Sequence, residues 1–376
     1  MKILLLGEYS NVHWTLAEGL RALDHEVCVV SDGDRWKGYP RDISIVRRWR
    51  TSTNPFKRGL GAVLYLLRLL WVMRRLKGYD VVQLINPVFI DLKPQRIMPF
   101  YRYLRRHNGK LFLGAFGIDK YWVKAGLDCT TFRYSDFNIG SELRHNADND
   151  IMIRDWLHGP KGELNDRIAN DSDGIVAGLY EYYASYNPYY ADKLTFIPFP
   201  IVVDESRQKL RIATDGVVKF FVGVQRERSA YKGTDIMLSA LRRVEAAHPD
   251  HCQVTVVESV PFQQYIQLLK QAHVQLDQLY SYTPSMNALQ AMAQGMVVVS
   301  GGEPESYAII GEQELRPIVN VQPDEESVYQ QLLNLVQHPE LIEQLSRQSI
   351  EYIRRHHSHT AVAKQYVELY NKTIKQ

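Results

Sequence analysis

Residues 277–306 read Asp-Gln-Leu-Tyr-Ser-Tyr-Thr-Pro-Ser-Met-Asn-Ala-Leu-Gln-Ala-Met-Ala-Gln-Gly-Met-Val-Val-Val-Ser-Gly-Gly-Glu-Pro-Glu-Ser. Pro284 suits the first turn of a helix, where its missing N–H is no loss, and Thr283 before it can cap the free amides. The spacing predicts a helix from about 284 through Leu289 and Met292 to a left-handed stop at Gly295. Residues 296–299 are then a short apolar, β-branched run, the mark of a buried parallel strand, and Gly301, Gly302 and Glu305 belong to a tight polar loop after it. A helix N-terminus carries unpaired amides and about half a positive charge, so this order of elements fits a phosphate without needing a basic side chain.

The elements that must position such a site alternate between strand and helix. Lys2–Leu6 reads as a buried strand, 7–13 as a polar loop, 14–23 as a helix and 26–30 as a second strand, the opening of a doubly wound sheet whose ligands sit at the carboxyl ends of strands. No Gly-x-Gly-x-x-Gly follows the first strand, so a dinucleotide cofactor is not expected in this half. Glu8, Asn11 and His13 are candidates to line its cleft, against the plainer reading of a capping loop with a solvent-facing histidine. Further strands are expected at 80–85, Lys110–Ala115, Gly174–Ala177 and 195–201, with a helix at 98–106. After a hinge between Asp204 and Gly216, strands at 217–222, 253–258 and 274–279 alternate with helices at 236–246 and 261–271. Residues 128–170 carry no clear period. The apolar stretch 56–77 has basic ends, is interrupted by Arg68 and falls short of the roughly 20 residues that span a bilayer. It is either a core crossover helix or an interfacial one, and the need for a crossover before the next strand favours the core.

The segment 277–306 resembles the nucleotide-sugar site of the group 1 retaining glycosyltransferases of GT-B fold. Their usual text is Glu, seven residues, Glu, then Ala-Met-Ala-x-Gly and a strand ending in a Gly-rich loop with Pro-Glu. Gln290-Ala291-Met292-Ala293-Gln294-Gly295 and Gly301-Gly302-Glu303-Pro304-Glu305 match it, while Tyr282 and Gln290 stand where the two glutamates would be. The resemblance implies an α/β chain of two Rossmann-like doubly wound domains facing a central cleft. It also implies donor contacts from Tyr282, Thr283, Pro284, Ser285, Asn287, Gln290, Gly301, Gly302 and Glu305. Gln290 can hydrogen-bond a ribose hydroxyl but, being neutral, cannot stabilise developing positive charge as a carboxylate would. The text Gly223-Val-Gln-Arg226-Glu-Arg228-Ser-Ala-Tyr-Lys232-Gly233 is similar to the family's Gly-Arg loop followed by Lys-Gly, which makes Arg228 and Lys232 the cations for a donor diphosphate, with Arg226 as a substitute. At the end of the strand Lys110–Ala115, Phe116 replaces the family's histidine while Gly117 and Asp119 remain. Asp119, Lys120 and Tyr121 are left as the polar groups there, and Glu8, His13 and Asp119 are the catalytic candidates.

Length and composition set the outer bounds. A chain of 376 residues exceeds one ordinary core and suits two domains. The expected division is an acceptor-binding domain at 1–205, a nucleotide-sugar domain at 216–345 and a terminal helix at 346–376 crossing back to the first domain. Cys28, Cys129 and Cys252 are odd in number and far apart, which fits reduced thiols of a cytoplasmic protein. The first seven residues read as a strand and not as a signal peptide. The formal net charge of +3 hides 18 Lys and Arg against three acids from Arg35 to Lys110, or 18 − 3 = +15. Such a block fits an anionic partner: a phospholipid surface, placing the protein peripherally on the inner face of the membrane, or a lipid diphosphate, with nucleic acid not expected.

Other motifs receive plainer readings. The tyrosines of 180–190 fit a packed helix better than a sugar-stacking platform. His356, His357 and His359 have nothing acidic or sulfur-bearing beside them in sequence and read as a kink in the terminal helix. Asp32-Gly-Asp34, Asp148-Asn-Asp150 and Asp171-Ser-Asp173 could bridge a metal to a diphosphate, but the family implied here needs none, so neither metal nor cofactor is expected. Walker, Gly-x-Ser-x-Gly and His-Glu-x-x-His texts are missing. The function expected is transfer of a sugar, of hexosyltransferase type, from a nucleoside-diphosphate sugar to a glycan or lipid-linked acceptor. The rivals are a catalytically inactive GT-B-like binding subunit and a nucleotide-sugar epimerase, the latter disfavoured by the lack of paired carboxylates near the diphosphate loop.

Overall fold

Fourteen strands are seen in a computed structural model of the chain, which describes residues 1–224, 232–258 and 267–375. They are β1 (Lys2–Leu6), β2 (Glu26–Ser31), β3 (Ile43–Ser44), β4 (Val81–Leu84), β5 (Lys110–Ala115), β6 (Asn138–Ile139), β7 (Glu142–Leu143), β8 (Gly174–Ala177), β9 (Leu194–Phe196), β10 (Val218–Val224), β11 (Cys252–Glu258), β12 (Val274–Leu276), β13 (Val297–Ser300) and β14 (Ile318–Asn320). One sheet has the order β3-β2-β1-β4-β5-β8-β9 and another β11-β10-β12-β13-β14, both parallel throughout, while β6 and β7 form a small antiparallel hairpin. Parallel strands covered by helices on both faces are buried along their length, which is why β4, β8, β12 and β13 are continuous runs of buried residues.

The chain divides into two units. The first holds Met1–Lys124, Asp150–Pro200 and the chain from His359 on; the second holds Ala125–Asn149 and Ile201–Ser358. In the first, the terminal helix His359–Ile374 lies against the helix Val12–Arg21, and the buried Tyr370 donates its hydroxyl to Gln83 at 3.2 Å and packs on Phe112. In the second, Val218, Phe220, Val222, Met237, Leu241, Val274, Leu276, Val297 and Leu332 meet in one core.

Several expectations need correction. Residues 125–149, read as part of the first domain, cluster with the second unit, where Arg133 and Tyr134 bond Glu303 and Phe132 packs on Tyr282, while polar side chains that bond backbone hold the segment itself together. Asn138 donates to the Phe132 and Gly140 carbonyls at 2.9 and 3.0 Å, and Asn149 to those of Asp136 and Arg144 at 2.9 Å each. The aperiodic 128–170 in fact contains the helices Ala147–Trp156 and Pro160–Asp171. The helix Pro55–Met73 belongs to the core on one face only: Gly61, Tyr65, Leu69, Val72 and Met73 are its buried residues, and the opposite face is exposed. The terminal helix does break where the histidines lie, in a π-helical turn Ile353–His357. An acid does accompany them, however: buried Glu312 bonds His356 Nε2 at 2.6 Å and Arg355 at 3.2 Å. Among the described residues, no three His, Cys, Asp or Glu side chains gather as a metal would require.

Candidate functional site

Each sheet reverses its winding at one point, and the carboxyl ends of the two strands there form the crevice in which doubly wound sheets bind ligands. In the second unit β11 lies on one side of β10 and β12 on the other, so the reversal falls between β10 and β12. The segment after β10 leads to Lys232 and that after β12 runs from Asp277 to Ser285. They are joined directly, since the Leu279 amide donates to the Lys232 carbonyl at 3.0 Å. Gly233, at φ 71°, precedes the helix Thr234–Ala247 in a conformation that suits glycine, and a Cβ there would fall 2.7 Å from Leu279. Arg228 and Arg226, the other cations expected here, lie outside the described residues.

The loop after β13 closes on the same segment. A Cβ on Gly301 would come within 1.7 Å of the Ser281 carbonyl oxygen, so only glycine lets these backbones meet. The Glu303 amide donates to the Tyr282 carbonyl at 3.1 Å, and the Gly302 amide to Asn320 Oδ1 at 2.8 Å. Gly301→Ala is expected to destabilise the second unit by about 1–3 kcal/mol in urea unfolding, the usual penalty of overpacking; a wild-type value would show that the loop accommodates a methyl group.

Residue type and spacing do not mark Arg133, which ties this loop together. Arg133, from the segment that joins the second unit, donates to Glu303 at 2.7 Å and forks onto Glu305, and its guanidinium lies 4.8 Å from the Tyr282 ring centre. The hydrogen bonds from Arg133 hold the Glu305 carboxyl below the usual carboxylate range. Glu303, 3% exposed, also accepts from the Tyr134 hydroxyl at 2.6 Å and from Asn320 at 3.1 Å. The buried Tyr282 packs on Phe132 and Tyr134, and its hydroxyl accepts the Arg133 backbone N–H at 2.6 Å. Burial raises the Tyr282 hydroxyl above its ordinary value, so it stays protonated.

The helix expected from 284 is Met286–Met292, one turn shorter, with Ser285 as its N-cap residue. Ser285 is held there by its own hydroxyl, which donates to buried Asp277 at 2.5 Å; Thr283 and Pro284 precede the helix as buried loop residues. Asn287 is exposed and Gln290 half-buried on this helix.

In the first unit the reversal falls between β1 and β4, where Glu8 and buried Asn86 follow the strands. Glu8 is buried, and its carboxylate accepts the amides of His13 at 3.2 Å and Trp14 at 2.9 Å, closing the first turn of the helix Val12–Arg21. Burial pushes its carboxyl up to about 8 despite those bonds. His13 is fully buried, not solvent-facing, and burial pulls it down to about 3. A neutral ring here donates from Nδ1 to the Gly7 carbonyl at 2.9 Å, which leaves Nε2 a buried acceptor with no partner among the described residues. Phe116 packs edge-on against this ring.

Asp119 is placed differently. Its two oxygens accept from the Trp122 amide at 3.0 Å and the Tyr186 hydroxyl at 2.8 Å, so it starts the helix Lys120–Leu127 and anchors it to the helix Tyr180–Tyr190. Burial raises its carboxyl to about 6. Lys120 and Tyr121 are likewise bonded to Asp166, at 2.5 and 2.8 Å, and Tyr121 packs at tilted and edge-on angles against Tyr186, Tyr189 and Tyr190. Two of the Asp-x-Asp texts are also engaged: Asp34 with Ser10 and Lys37, Asp171 with Tyr101, and Asp173 with Arg105 and the Leu111 amide.

No protein-family model matches the chain, and no curated protein matches it. Solved structures do. Sucrose-phosphate synthase from Thermosynechococcus elongatus superposes with a TM-score of 0.63 at 13% identity over 100% of both chains. The fold is GT-B. Other GT-B structures similar to this chain are Anabaena HepE in complex with UDP and glucose and the catalytic domain of Arabidopsis thaliana starch synthase IV bound to ADP and acarbose. The first has a TM-score of 0.59 at 11% identity over 99% of this chain and 100% of that one, the second 0.58 at 11% over 100% of both.

Proposed function

We propose that the chain is a glycosyltransferase that takes its sugar from a nucleoside diphosphate held by the second unit and passes it to a glycan or lipid-linked acceptor received by the first. The observation that carries this reading is the winding reversal between β10 and β12, which sets the Lys232 segment and the loop 277–285 side by side under a fold shared with structures that hold UDP and ADP. Lys232 would neutralise the diphosphate, Gln290 would meet the ribose, and Glu305 would accept from sugar hydroxyls. In a retaining, metal-independent reaction the bond from the anomeric carbon to the diphosphate breaks as the acceptor oxygen bonds that carbon. The acceptor proton passes to a phosphate oxygen, so no protein base is obligatory.

Lys232→Ala is expected to weaken UDP, GDP or ADP binding about tenfold or more, since a charge-assisted contact contributes about 1.5–3 kcal/mol. Titration calorimetry that gives equal affinities would remove Lys232 from the diphosphate site. Release of nucleoside diphosphate from a panel of nucleotide sugars tests the reaction itself. A second reading, a binding subunit without activity, is favoured by Tyr282, whose hydroxyl holds the Arg133 amide where a family member would present a carboxylate. It predicts nucleotide binding with no turnover of any sugar donor.

A further inference from the structure

The helix Pro55–Met73 is apolar on two faces. Asn54 starts it by accepting from the amides of Phe56 and Lys57 at 3.0 and 3.3 Å, and Pro55 follows in the first turn. At 100° per residue, Gly61, Tyr65, Leu69 and Val72 fall on one side, and this side is buried; the Tyr65 hydroxyl accepts the Asp91 amide at 2.9 Å. Phe56, Leu60, Val63, Leu67, Leu70 and Trp71 fall on the opposite side, spaced by three and four residues, and stand in solvent, Phe56 at 77%, Leu67 at 58% and Val63 at 57% exposure. A continuous apolar stripe along about 22 Å of helix is too large to be an ordinary surface and marks an interaction face.

Its edge identifies the partner. Lys57, Arg68 and Arg75, eleven and seven residues apart, project along one rim of the stripe, and no Asp or Glu occurs between Asp42 and Asp80. Trp71 takes the guanidinium groups of Arg68 and Arg75 at 4.6 and 3.6 Å from its ring, an aromatic body tipped with charge. A second copy of the chain would bring this rim against an equivalent rim with no acid on the helix to receive it, because a twofold contact pairs the same patch with itself. A leaflet of anionic lipid offers phosphates to the cations and acyl chains to the leucines. Among the described residues no helix is long and apolar enough to cross a membrane, so this one lies in the interface plane.

We propose that the outer face of the helix Pro55–Met73 docks the first unit on an anionic phospholipid surface, with the Leu60–Leu67–Leu70 stripe in the head-group boundary and the Lys57–Arg68–Arg75 rim on lipid phosphates. This holds whether or not the chain transfers sugars. The test is sedimentation of the full chain with vesicles of phosphatidylglycerol and phosphatidylcholine, against phosphatidylcholine alone. The wild type pellets with the anionic vesicles at low salt, releases at high salt and ignores the neutral ones. Brominated acyl chains quench its fluorescence, and Trp71→Phe removes most of that quenching. Joint Leu60→Gln, Leu67→Gln and Leu70→Gln substitution weakens partitioning at least tenfold with unchanged melting temperature. Joint Lys57→Gln, Arg68→Gln and Arg75→Gln substitution weakens it about a hundredfold on anionic vesicles. A wild type that stays in the supernatant with anionic vesicles at low salt overturns the proposal, as does a triple-leucine variant that partitions like the wild type. A dimer that ignores vesicles and becomes monomeric in the triple-leucine variant overturns it in favour of a second copy.

Discussion

Arg133→Ala is expected to lower the stability of the second unit by about 2–3 kcal/mol and to loosen the loop that carries Gly301 and Glu303. The Arg133 side chain is itself 53% exposed and its pair with Glu305 contributes little through solvent. The loss comes from Glu303, whose side chain is 4% exposed and would keep only Tyr134 and Asn320 around a buried carboxylate. Arg133→Lys keeps the charge but not the fork that reaches two carboxylates, so it should recover part of the loss. Because two units can unfold separately, the reading is hydrogen exchange at the Arg133 and Glu303 amides, which bond Tyr282, together with the melting temperature. Wild-type protection and melting in the alanine variant would mean that Tyr282 and Tyr134 hold the loop without the arginine. Nucleotide affinity should fall with protection if the loop shapes the donor site.

Apart from the edge strands β3 and β14, the strands of both sheets were legible because buried parallel strands advertise themselves as apolar, β-branched runs; β5, β8 and the helix Tyr180–Tyr190 have the limits their residues suggest. Periodicity is silent where both faces of a helix are apolar. Along Pro55–Met73 it gives no sign of which stripe is inside, and the crossover argument chose the core for a helix whose outer stripe is exposed. It is silent also for 125–149, which is held by Asn138, Asn149 and Arg133 through bonds to backbone and to carboxylates far along the chain. The start of the helix Met286–Met292 depends on Asp277, eight residues upstream of its partner Ser285, and the company of His356 depends on Glu312, 44 residues away. The sequence does reveal that Tyr282 departs from the family text. That its hydroxyl anchors another segment emerges only from the folded chain.

His13→Gln should flatten the acid limb of the stability curve, and the sign follows from burial. Burial holds the folded-state value of His13 at about 3 against 6.5 when unfolded, so between these values the unfolded chain binds the extra proton. Stability from this residue is therefore complete above pH 6.5 and lost as the pH falls towards 3. At 1.36 kcal/mol per unit, the loss reaches about 3 kcal/mol at pH 4. Glu8, beside it, acts with the opposite sign: its folded-state value is raised to about 8 from 4.5, so its contribution declines as the pH rises between those values. Between pH 4.5 and 6.5 the two slopes oppose each other, and the wild-type curve alone conceals both. The difference between wild type and His13→Gln isolates the histidine, because Glu8 is common to both; glutamine can still donate to the Gly7 carbonyl. Urea unfolding from pH 4 to 7 should show that difference growing by about 3 kcal/mol in favour of the wild type. A difference that stays level would mean that the folded ring accepts a proton at Nε2, and the neutral acceptor assigned to the first unit's crevice would not exist.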